Sequence, residues 1–236
     1  MEHNHRRSGS IIHPRDNPIP VYIAHVYGWM SCGLLLTAFV SWYAANSWSV
    51  LAFIFSNRVN LFVLVILQLG IVLILSSMVH KMTGAMATGL FMLYSVLTGI
   101  TLSSIFLFYS YLTIASTFLI TSGMFGAMTL WGYTTKRNLT SLGSILFMAL
   151  VGLLLSSIVN TWLHSTTIMR GISYFGVVIF VGLISWDTQK LKNIGNQIDE
   201  SNPDILRRYA ILGALTLYLD FVNLFVMLMR ILSNRR

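Results

Sequence analysis

Apolar residues run along this chain in long blocks separated by short polar links. A helix needs roughly 20 apolar residues to cross a bilayer. Seven blocks meet that length, at about 22–45, 61–79, 86–109, 111–132, 142–163, 171–188 and 209–232. The links between them include "SNRVN", "HKMTG", "TTKRNLTS" and "HSTTIMRG", and "TQKLKNIGNQIDESNPDILRR" between the last two blocks is the one long loop. The pattern therefore predicts an all-α membrane domain over 22–236, preceded by a polar tail over 1–21. "GITLSSI" at 99–105 and "GLLLSSI" at 152–158 echo each other. Such an echo fits either an internal repeat, as transporters carry, or small-residue helix contacts.

Composition agrees with the pattern. The chain is 56% hydrophobic and 9% charged, with a mean hydropathy of +0.74, whereas soluble domains carry about 25% charged residues. The net charge of +8 does not indicate nucleic-acid binding, because the basic residues are spread over the links. That spread instead predicts orientation. With the N-terminus inside, ten bases fall on the inner side (Arg6, Arg7, Arg15, Lys81, Lys136, Arg137, Lys190, Lys192, Arg207, Arg208) and five on the outer (Arg58, Arg170, Arg230, Arg235, Arg236). The expected location is thus a cell membrane crossed seven times, with the N-terminus cytoplasmic. The basic C-terminus dissents, and a re-entrant last segment would bring it inside, but 209–232 is long enough to cross. The tail reads as a disordered cytoplasmic segment without a cleavable signal. Trp29, Trp42, Trp48, Trp131 and Trp162 fall near block ends, as an aromatic belt does. The lone Cys32 permits no disulfide within the chain and reads as a small buried apolar residue.

Only two acids fall within or at the edge of the blocks, Asp187 in "LISWDTQKLKN" and Asp220 in "LGALTLYLDFVNLFVML". An ionised carboxylate at membrane depth is costly unless it is paired or protonated. Gly213, Thr216, Asp220 and Asn223 are spaced by three, four and three residues, which is one helical face. A helix apolar nearly all round with one narrow polar stripe belongs inside a bundle, so 209–232 is expected to be the least lipid-exposed span. Two readings of each acid stand. Asp220 is a functional intramembrane acid, or a protonated structural one bonded to a Ser, Thr or Asn. Asp187 is a functional acid, or an interfacial one balancing Lys190 and Lys192. If the two meet, they cannot both ionise freely and titrate as a unit. A carboxyl pair that exchanges a proton for a hard cation such as Ca²⁺ is chemically natural, although two acids alone do not specify calcium. His80 and Lys81 at the end of the second block are solvated anchors or basic partners of the acids. His25 and His164 are proton sites or satisfied histidines. No P-loop, dinucleotide fingerprint, zinc signature or Ser-His-Asp pattern is present, so neither enzymatic activity nor a bound cofactor is expected.

"ILGALTLYLDFVNLFVMLMRIL" with the upstream "WDTQKLKN", together with "MLYSVLTGITLSSIF", resembles the Bax inhibitor-1 (transmembrane Bax inhibitor motif) family, and within it the bacterial inner-membrane members. The resemblance runs over nearly the whole chain after residue 20. It implies six helices around a central seventh. It also implies an acid pair near the cytoplasmic side that acts as pH sensor and cation site, matched here by Asp187 and Asp220. Members of the family are associated with proton-dependent calcium leak. They carry a basic latch at the end of the second span, where this chain has "SSMVHKM", leaving His80 or Lys81 in that role. Three functions follow as expectations: a pH-gated Ca²⁺ leak channel, a non-transporting regulator that binds membrane proteins such as a membrane protease, and a proton/cation antiporter using the same acids.

Overall fold

The computed structural model of the chain describes residues 18–198 and 202–233. Among them every regular element is a helix: α1 (Pro18–Ala45), α2 (Trp48–Ser56), α3 (Arg58–Met78), α4 (Gly84–Leu102), α5 (Ile105–Phe108), α6 (Tyr111–Thr134), α7 (Thr140–Leu163), α8 (Thr166–Gly195) and α9 (Pro203–Ser233). Seven stretches are long and apolar enough to cross a membrane: Val21–Ala45, Val59–Met78, Gly84–Phe108, Tyr111–Thr134, Thr140–Leu163, Thr166–Gly195 and Pro203–Leu232.

The seven expected blocks each find their helix, but several ends move. Helix α1 begins at Pro18, so it takes in the last residues of the expected tail, whose remaining part, 1–17, lies outside the described residues. The loop expected between the last two blocks is mostly helix. α8 runs on to Gly195 and α9 starts at Pro203, because Lys and Gln are good helix formers and a proline suits a first helical position. Helix α2 was not expected, and its nine residues are too few to cross. It stops where Asn57 turns extended and caps α3, its side-chain oxygen accepting from Val59 N at 3.1 Å.

The echo at 99–105 and 152–158 does not correspond to a shared local structure. Ser103 and Ser104 end α4, their hydroxyls donating to the Ile100 and Thr101 carbonyls at 2.7 and 3.2 Å, whereas α7 runs unbroken through its copy. Cys32 is exposed on the outside of α1, not buried.

Helix α9 is the centre of the bundle and the most buried of the seven spans. Its principal neighbours are α1, α4, α6 and α8, while α3 packs on α4 and α7 packs on α8. Six helices therefore surround α9, four of them touching it along its length. Ile211, Leu215, Leu217, Tyr218 and Leu224 are fully enclosed and cover about half of the circumference of α9 at 3.6 residues per turn, while Leu212, Thr216, Leu219 and Asn223 on the remaining side are half-buried. Outward-facing leucine, phenylalanine and valine side chains on α3, α6 and α7 leave apolar surface where lipid is the solvent.

Candidate functional site

Asp187 is positioned by the buried stripe of α8. Ile172, Gly176, Ile179, Leu183, Asp187, Leu191 and Gly195 are all buried and recur at intervals of three and four, one helical face turned inward. An acid thus occupies one slot of an otherwise apolar stripe, two turns inside the end of the helix rather than at its edge. Asp220 lies 17 residues into α9, about 25 Å along its axis at 1.5 Å per residue, deeper than the shorter helix expected from sequence placed it. The carboxyls meet across the α8–α9 contact, each within hydrogen-bonding reach of the other.

Both are enclosed, Asp187 5% and Asp220 6% exposed. Asp220 Oδ2 has no hydrogen-bond donor among the described residues. A carboxylate accepts and does not donate, so the pair forms a hydrogen bond only when a proton lies between the two groups. Of the two lysines expected to balance Asp187, Lys190 does act on it through its charge and Lys192 does not. Lys190 Nζ lies 5.2 Å from the Trp186 ring centroid, and Lys192 Nζ donates to the Tyr133 carbonyl at 2.8 Å. Among the described residues the one ion pair is Arg208 with Asp204, 3.4 Å apart and without hydrogen-bond alignment at Nε.

The rest of the expected stripe separates by role. Gly213 brings α9 close to α1 and α8, where an added Cβ would lie 2.8 Å from Leu191 Cδ2 and 3.0 Å from Val26 Cγ2. Thr216 turns back on its own helix, donating to the Leu212 carbonyl at 3.1 Å, and Asn223 is half-buried.

His80 is placed against the start of α9 and not against the acids. Its Nδ1 lies 3.0 Å from the Tyr209 hydroxyl, and its carbonyl accepts from Arg208 at 3.0 Å. Arg208 also donates to the Met82 carbonyl at 3.2 Å, Arg207 Nε donates to Thr88 Oγ1 at 2.9 Å, and Gly84 N donates to Asp204 Oδ1 at 2.7 Å. These bonds clamp the first turns of α9 to the α3–α4 link. Lys81 is exposed in that link. His25 bonds the Val21 carbonyl at 2.8 Å, one turn back, and His164 forms the α7–α8 turn with φ 48°.

Two sets of polar groups escaped the sequence. The Tyr27 hydroxyl on α1 faces Thr129 of α6 and Thr188 of α8, yet Tyr27 and Thr129 complete no hydrogen bond. Thr188 follows Asp187 in the chain and donates to the Ile184 carbonyl at 2.7 Å. On the other side of α9, Tyr218 and Thr37 share a hydroxyl–hydroxyl bond of 2.6 Å, and Thr37 donates to the Ser95 carbonyl at 2.9 Å. A tyrosine or threonine within an apolar block carries no local signal of such a role.

Among the described residues, no three His, Cys, Asp or Glu side chains come together. A cation at the pair would complete its shell with carbonyl and water oxygens, which hard cations accept.

A seven-span helical bundle with a carboxyl pair enclosed against its central helix is a polytopic membrane protein. The comparison with known sequences makes the assignment narrower. Residues 20–236 match the family model described as inhibitor of apoptosis-promoting Bax1, and the chain belongs to this Bax inhibitor-1 family. It is 59% identical over 230 residues, 98% of each chain, to "Inner membrane protein YbhL" of Escherichia coli (strain K12). It is 41% identical over 215 residues to an uncharacterized protein of Borreliella burgdorferi, covering 91% of this chain and 92% of the other. Protein RP147 of Rickettsia prowazekii is 39% identical over 221 residues, 94% of this chain and 92% of its own.

Proposed function

We propose that the protein is a pH-sensitive cation leak channel, with Ca²⁺ as its principal ion, gated by Asp187 and Asp220. The supporting observation is the enclosed Asp220 Oδ2, for which the described residues offer no donor and whose neighbour is a second carboxyl. With one proton between them, the acids bond α8 to α9 and the path stays shut. When that proton leaves, two like charges face each other in a dry contact, and the arrangement relaxes by admitting water and a cation. Acidification therefore closes the path and alkalinisation opens it. Polar groups at Tyr27, Thr129 and Thr188 offer the incoming water partners on the α1–α6–α8 side.

Calcium flux into proteoliposomes at two pH values tests this reading. Wild-type flux should rise with pH, and Asp187→Asn and Asp220→Asn should each remove the dependence. The double variant should add little to either single one, because the pair acts as a unit. Independent effects of the two substitutions would sink the shared-proton gate. No flux at any pH would leave a non-transporting regulator of membrane proteins, and flux only against a counter-gradient would make it an antiporter.

A further inference from the structure

At the bundle end that carries the α7–α8 turn, a cavity of about 560 Å³ opens between α7, α8 and the last turn of α9. Its lining mixes apolar side chains such as Met169, Ile172 and Ile231 with polar and basic ones, Asn160, His164 and Ser165 from the turn, Arg170 from α8 and Arg230 from α9. The turn itself is fixed: the Asn160 side-chain oxygen accepts from Ser165 N at 3.0 Å, and the Ser165 hydroxyl accepts from Ile168 N at 3.4 Å. The start of the 30-residue helix α8 thus opens on the cavity and adds its own positive end to the two guanidinium groups.

The cavity shares Ile172 with a second one of about 410 Å³. This second space is an apolar groove between α7 and α8, walled by Leu153, Gly171, Phe175 and Ile179 among others. From Arg170 to Ile179 is nine residues, roughly 13 Å along the helix, which carries the groove from the headgroup zone into the hydrocarbon zone. Because α7 and α8 are membrane-spanning stretches, the medium around the groove is lipid. An added Cβ at Gly171 would meet nothing within 4 Å, so the groove has room beside the backbone.

We propose that these two spaces form one binding site for an anionic phospholipid, whose phosphate sits among Arg170, Arg230 and the α8 N-terminus while an acyl chain lies along Gly171, Phe175 and Ile179. Basic pockets between spanning helices take up anionic headgroups in this way. A free phosphate shares the headgroup chemistry but leaves the groove unused, and a zwitterionic lipid shares the chain but brings a positive group toward the arginines.

The test uses the full chain, stripped of lipid in detergent and then exposed to phosphatidylglycerol, phosphatidylcholine or sodium phosphate. Bound lipid is read by native mass spectrometry and thermal stability is read in parallel. The wild type should retain one phosphatidylglycerol in preference to phosphatidylcholine and gain little stability from phosphate. Arg170→Gln, at an exposed position, should weaken phosphatidylglycerol binding about five-fold, the effect of one basic residue at a lipid surface. Gly171→Leu should fill the groove and abolish retention while leaving the lipid-free melting temperature unchanged. Equal retention of the two lipids, equal stabilisation by phosphate, or undiminished binding in Gly171→Leu would each overturn the proposal.

Discussion

At the scale of single residues, the acids and their neighbours differ in how far the sequence reveals them. Asp220 is conspicuous because an acid amid "LTLYLDFVNLF" is expensive in lipid or core. Asp187 is less so, since "WDTQKLKN" resembles an interfacial end. Its depth depends on α8 continuing to Gly195, which the polar composition after residue 188 conceals. The partners of Tyr27 and Tyr218 are hidden altogether, for hydroxyls on four different helices meet only once the bundle exists. His80 shows the opposite failure: a residue singled out for its chemistry bonds Tyr209, about 16 Å along α9 from Asp220 by helical rise. Arg208, whose side chain reaches the His80 and Met82 carbonyls, is the stronger link of that clamp. Arg208→Gln should lower stability in detergent by about 1.5–3 kcal/mol, the usual range for hydrogen bonds to a charged group. A melting curve identical to wild type would mean that the clamp contributes nothing.

At the scale of elements, helix–helix spacing is set by a few close approaches. Gly132 of α6 brings its backbone against the Ser185 carbonyl of α8, next to the turn that carries Asp187. Gly213 does the same for α9 against Leu191 and Val26. Substituting Gly213 by Leu inserts four carbons where the first already crowds Leu191, and overpacking of this kind costs about 1–3 kcal/mol. Loss of that size should appear as a lower melting temperature in detergent, and unchanged melting would count against the tight α1–α8–α9 contact. The helices themselves were legible, because long apolar blocks carry a strong signal. Their ends were not, because helix continues through polar residues wherever a neighbouring element holds it. The short α2 was missed for a related reason: "WSVLAFIFS" is apolar but only two and a half turns long, and nothing in it marks a separate helix.

At the scale of the whole molecule, the polar stripe of the last block led correctly to a central helix. A helix whose few polar groups must all be satisfied within the protein has its place at the middle. Which helices touch α9 was not legible, since blocks of similar apolar composition are interchangeable on paper. An odd number of crossings sets the two termini on opposite faces, and the ten-to-five distribution of bases predicts a cytoplasmic N-terminus. After Cys32→Ser, a single cysteine introduced at position 236 should react with an impermeant thiol reagent from the outer face alone. Reaction from the cytoplasmic face would show that the chain turns back.

Because the innermost helix is also the last of the seven spans among the described residues, the bundle is completed from the outside in. Synthesis proceeds from the N-terminus at roughly 5–20 residues per second. The six spans that precede α9 therefore emerge before the piece around which they close. During those seconds Thr37 and Asp187 have no counterpart from α9, and the faces that will hold Tyr218 and Asp220 enclose lipid or water. The half-built protein is thus a different object from the finished one, with a temporary vacancy along its axis. The arrival of the 31 residues of α9 fills it.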